Sequence, residues 1–189
     1  MHPSEHRGLR ELYIMARRLR HHWRALADRL DATAPGQAAL LRAGSDDARA
    51  LIGELTGVTA ARGLHGRPAA QGLGARLASA QNVLLDTALE VNQALRLAVL
   101  DVVHVVVLLE YLALLARADD DAELAAFLAG WAPRMRAHEE AVRSAAIALG
   151  DAPDAAIDAA TPGLAGRIGH GAAKAVGTFG EWIDGRTAR

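Results

Sequence analysis

Leu9, Leu12, Ala16, Leu19, Trp23, Leu26 and Leu30 recur at alternating steps of three and four, a spacing that predicts one amphipathic helix over 4–30. Pro35 and Gly36 end that stretch, and a second helical region follows over 37–62, with Leu41, Leu51, Leu55 and Val58 as its inward positions. Gly44 interrupts this region, and Ser45 with Asp46 and Asp47 behind it predicts a new helix N-cap at that point. The segment 63–74 holds four glycines and Pro68 and reads as the long connection of the chain. No proline or glycine interrupts 75–117, which reads as one long helix or two abutting ones. Its run of β-branched residues from Val102 to Val107 has no second strand-like run to pair with, so the helix prevails. Asp119, Asp120 and Asp121 predict a turn and a helix cap. Beyond them Leu124, Leu128, Trp131, Met135, His138, Val142, Ala145 and Leu149 form another stripe, kinked where Pro133 falls within it. The chain divides into a helical bundle over 1–149 and, over 150–189, a linker followed by an amphipathic, glycine-rich tail. Leu164, Ile168, Ala172, Val176, Phe179 and Ile183 stand at helical spacing in that tail.

Composition sharpens this to an aliphatic all-α core. Hydrophobic residues make up 51% of the 189 positions but aromatics only 4%, with 43 Ala and 27 Leu carrying the excess. The absence of cysteine excludes disulfides, thiolate metal sites and cysteine nucleophiles. A formal net charge of −1 lacks the basic footprint of a nucleic-acid binder. The first residues carry His, Glu and Arg with no apolar run behind them, so a cytoplasmic protein without a secretory leader is expected. The stretch 97–116 is apolar enough to be weighed as a membrane span. Asp101, His104 and Glu110 within it offset most of the insertion energy, which favours the core helix of a bundle over a membrane span.

Four amphipathic helices with short first and third connections and a long second one describe a four-helix bundle with a crossover. The chain resembles the ferritin-like superfamily, and among its members the small bacterial YciE/YciF-type proteins. The likeness rests on Glu11-Leu12-Tyr13 in the first helix, on Asp46-Asp47-Ala48 followed by Leu51 and Leu55 in the second, and on Gly72-Leu73 opening the later segment. It rests also on the spacing to His104 and Tyr111 and on Ala137-His138 in the fourth helix, covering 9–149. The resemblance implies a ferritin-like bundle that holds two metal ions through one carboxylate from each of two helices and a Glu-x-x-His from each of the others. Carried onto this chain, the ligand positions fall on Ala16, on Asp47 with Ala50 or Leu51, on His104, on Val107, and on Met135 with His138. Only Asp47 and His138 keep a ligand type, so the resemblance implies a degenerate di-iron site.

The residues leave several chemical readings open. Asp101, His104 and His138, with Asp47, are the candidate ligands of a rebuilt mononuclear site for iron, manganese or zinc. Against that stands a simple pairing of Asp101 with His104, or of either with the hydroxyls of Tyr13 or Tyr111, as buried polar groups require. Glu110 is expected to pair with Arg96 or Arg117. His21 and His22 with Arg17, Arg18, Arg20 and Arg24 read as a solvated basic face. Trp23 and Trp131 occupy core positions. The leading expectation is a non-catalytic bundle, without a resident cofactor, acting as an interaction or stress-associated protein. The alternatives are the mononuclear metalloprotein and a binder of an apolar small molecule walled by Ala16 and Val107. The many apolar faces of 97–116 predict a homodimer, and the tail predicts a docking segment for a protein partner.

Overall fold

A computed structural model describes residues 2–64, 89–158 and 160. Among them the chain is all helical, with four long helices: α1 (Pro3–Leu30), α2 (Pro35–Ala61), α3 (Val91–Ala118) and α4 (Ala122–Ala148). A 3₁₀ turn (Leu149–Asp151) and one short helix, α5 (Pro153–Ala156), follow. Their starts are set by local chemistry. His2 Nδ1 accepts from Ser4 N at 3.2 Å, and Pro3 takes the first helical position, where its missing N–H costs nothing. Glu90 N donates to the Gln93 side chain at 3.3 Å at the head of α3, and Asp121 accepts from Leu124 N at 3.0 Å at the head of α4. Asp120, one residue earlier, sits at φ 57°, a left-handed turn conformation that Asp tolerates.

The helices form a ring in which α1 rests on α2 and α3, and α4 rests on α2 and α3. Cross-helix bonds fix their directions. Ser45 Oγ donates to Arg20 O at 3.0 Å and Arg42 pairs with Asp31 at 2.7 Å, so α2 runs back along α1. His2 N bonds Asp119 at 2.7 Å while Trp23 bonds Ala98 O at 3.2 Å, so α3 also opposes α1. Arg62 meets Asp121 at 2.8 Å and Asp47 meets His138 at 2.8 Å, so α4 opposes α2.

The core is aliphatic, as composition predicts. Every residue of the predicted α1 stripe, from Leu9 to Leu30, has no accessible surface, and Val102, Val105 and Val106 are buried on a helical α3. One expectation about the helices needs correction. Helix α2 passes through Gly44 and Ser45 without a break, because Ser45 spends its hydroxyl on Arg20 O and Gly44 lies against the Trp23 ring. Helix α3 starts at Val91, and residues 75–88 of the expected helix lie outside those described. Helix α4 continues as one element across Pro133, as the stripe that keeps its register past the proline predicts. Residues 150–158, expected as part of a linker, return to the bundle: Val91 N donates to Asp158 O at 2.9 Å and Ala160 N to Leu89 O at 3.1 Å. The expected tail stripe from Leu164 to Ile183 lies outside the described residues. By length and composition α3 is the one described helix apolar enough to cross a membrane, and half of its most apolar stretch is buried in the bundle.

Candidate functional site

The four candidate ligands are distributed over three separate clusters. Asp101 on α3 is drawn toward α1, where Arg18 Nε lies 3.3 Å from Oδ1 and His22 Nδ1 makes a short contact with Oδ2. Its side chain is 8% exposed, so the guanidinium and imidazole replace most of the solvation lost on burial. His104, one turn later on α3, pairs with Glu11 of α1 at 3.0 Å. Both are close to half exposed, which makes this a surface pair. His138 on α4 reaches α2, its Nε2 lying 2.8 Å from Asp47 Oδ2, while Arg134 Nη2 takes Oδ1 at 2.8 Å. The imidazole of His138 also meets the Trp23 ring edge-on, with centroids 6.5 Å apart and planes at 89°.

Asp47 and His138 are thus brought together, whereas Asp101 and His104 each have a different partner. The expected pairing of Asp101 with His104 is not made. Among the described residues, no three of His, Asp and Glu converge closely enough to hold a metal ion. The positions that the resemblance would fill with ligands divide in the same way. Ala16 and Met135 are fully buried in the apolar core, but Val107 is 56% exposed. Val107 therefore does not wall an interior space with Ala16, contrary to expectation, because the face of α3 that carries it points away from α1, α2 and α4. His104, expected in the interior, lies on that outward face as well.

Several partners were not foreseen. Glu110 pairs with Arg136 of α4, and Trp131, buried as expected, donates its indole N–H to Glu54 at 2.9 Å beneath the Arg134 guanidinium, 3.9 Å from its ring centroid. His22 belongs to the half-buried Asp101 cluster, so the basic face of α1 is less solvated than its composition implies. One signal was available: Arg18 and His22 are four residues apart, on one helix face beside the Leu19 and Trp23 core positions.

Burial favours the neutral form of Asp47, but the His138 hydrogen bond and the Arg134 charge outweigh it and hold the carboxyl below the ordinary carboxylate range. A lowered acid contributes stability that is complete above its unfolded value and fades as pH falls through its folded one. The contribution of Asp47 is therefore present at neutral pH and lost on acidification below about pH 4. Asp47→Asn is expected to lower unfolding free energy at pH 7 by about 1 kcal/mol, a value reduced by partial solvent screening. Urea denaturation at pH 7 and pH 3 checks this, since the deficit must shrink in acid.

Each cluster matches a carboxylate with a neighbouring cation or imidazole, and in two of the three an arginine supplies the permanent positive charge. Such an arrangement holds helices in register and leaves little negative charge for an added cation. Compared with protein-family models, with curated proteins and with solved structures, the chain matches none.

Proposed function

We propose that this protein is a non-catalytic bundle of the ferritin-like type that works as an interaction or stress-associated protein. The observation that carries the reading is the disposal of the ligand chemistry: Ala16 and Met135 fill the interior where carboxylate and Glu-x-x-His ligands would stand, and Asp47 and Asp101 are each bound by an arginine. A di-metal centre needs uncompensated carboxylates to balance its cations, and guanidinium groups in that role oppose metal binding. The topology supports the ferritin-like part. Helix α2 ends beside Asp121, at the end of the bundle where α3 finishes, whereas α3 begins at the opposite end, which is the disposition of helix ends that the ferritin-like reading calls for.

Metal analysis of the full chain, purified from cells without added metal or chelator, tests the reading. Iron, manganese and zinc are expected far below one ion per chain. Retention of one or two ions per chain, lost in His138→Ala, would overturn it in favour of a rebuilt site.

A further inference from the structure

Helix α3 carries a second stripe opposite the one it buries. Leu97, Leu100, His104, Val107, Tyr111 and Leu114 are all exposed, and they follow one another at steps of three, four, three, four and three. Leu100 and Leu114 are 63% and 62% exposed, values unusual for leucines in a regular row. The residues between them, from Ala98 to Ala113, include the buried contacts to α1 and α4, so the stripe is the outward seam of an already packed helix. A three-four alternation sustained over this length is the pattern by which one helix seats in another.

We infer that the occupant of this seam is a second copy of the chain, paired antiparallel about a two-fold axis between His104 and Val107. The inference rests on the interaction reading above and names its partner. Reversing the stripe reproduces the same steps, so each position meets a defined mate: Leu97 against the partner's Leu114, Leu100 against the partner's Tyr111, and His104 against the partner's Val107. Parallel pairing in register would instead set His104 on the partner's His104, wasting the central layer on two polar rings. The observed exposures leave about 500 Å² accessible per copy, so full pairing removes roughly 1,000 Å² before flanking α1 and α4 side chains are counted, which stands at the lower threshold for a specific interface. Helix α3 is formed and packed beforehand, so the seam pays little ordering entropy. The segment 161–189 is a poorer occupant, since its seven glycines would each cost about 1 kcal/mol in a docked helix. A lipid surface is poorer again, because His104 lies within the seam and Glu11 and Glu110 border it.

Light scattering after size exclusion, on the full chain at micromolar concentration, is expected to give twice the chain mass of 19.9 kDa. Leu100→Glu with Leu114→Glu is expected to weaken the dimer by about a hundredfold or more while circular dichroism stays helical. Ile147→Glu, on an exposed α4 position outside the seam, leaves it unchanged. The absence of cysteine permits a direct test of register. Leu100→Cys with Tyr111→Cys is expected to give a covalent dimer on mild oxidation. Leu100→Cys alone is not, since its two copies would lie about 16 Å apart along the axis, beyond disulfide reach. A wild-type monomer at 100-fold higher concentration overturns the inference, whatever else covers the seam. So does a dimer that survives the paired glutamates, or equal cross-linking by the single cysteine. The metal content is read independently, so a monomer free of metal removes this inference and leaves the proposed function standing.

Discussion

Replacing Trp23 with alanine is expected to cost about 3 to 5 kcal/mol of unfolding free energy, the largest single-residue loss expected among the described residues, since Trp23 heads their fully buried side chains by volume. Trp23 has no accessible surface and, from α1, meets all three of the other long helices. Its indole N–H donates to Ala98 O of α3 at 3.2 Å, and its edge faces the His138 ring of α4. On the α2 side it fills a notch that exists only because residue 44 is glycine: a Cβ there would lie 2.2 Å from Cζ3 of the ring. Truncation therefore leaves a cavity bordered by helices that are each held elsewhere by cross-helix bonds, so they close around it only in part. Trp23→Phe, which keeps most of the ring volume and removes the N–H donor, is expected to lose less than half as much. Urea denaturation followed by circular dichroism separates the two, and the alanine variant should melt roughly 10 °C lower. A loss below about 1.5 kcal/mol would mean that the helices collapse onto the site and that the Gly44 notch is incidental.

Gly44 also illustrates where sequence reading stopped. A glycine beside Ser-Asp-Asp has two meanings, a helix break with a new cap or a gap for a large neighbour, and the choice depends on a tryptophan 21 positions away. The α1 stripe is legible because charged and polar residues make up most of the rest of that helix, so its apolar phase stands out. The same holds for the Asp121 cap, a local feature with a local partner. Helix α3 is apolar on every side and does not declare its inward face. Its sequence therefore suggests an inward Val107 and His104, whereas both lie on the outward face. Its orientation follows from α1 and α4, which bury Val102, Val105 and Val106 instead. The ion pairs were hidden for a related reason. Glu11 with His104 and His22 with Asp101 join residues 93 and 79 positions apart, and no helical spacing rule reaches across such a separation. The residue types of the candidate site could be read; their assortment into separate pairs could not.

Glu5→Gln is expected to stabilise the protein at pH 7 by about 1 to 3 kcal/mol, although it removes a charge from the first turn of a helix, where acids are normally favourable. Glu5 is 1% exposed, and the acid Asp119 lies beside its carboxylate. Burial raises its pKa above the ordinary carboxylate value, and the carboxylates of Asp119 and Asp121, gathered at the α3–α4 turn, push it further in the same direction. With a raised acid the native state holds its proton more tightly than the unfolded chain does. Stability is then greatest below the unfolded pKa and falls as pH rises toward the folded one, the reverse of the Asp47 behaviour. Glutamine is neutral at every pH and escapes this loss, and its amide can donate toward the neighbouring acids. The advantage of the variant should therefore be plain at pH 7 and vanish near pH 4, where Glu5 is itself protonated. Paired denaturation curves at the two pH values decide the matter. An equal gain at both would trace the effect to packing, whereas a gain confined to neutral pH identifies the charge of Glu5 as a cost built into the junction between α1 and the α3–α4 turn.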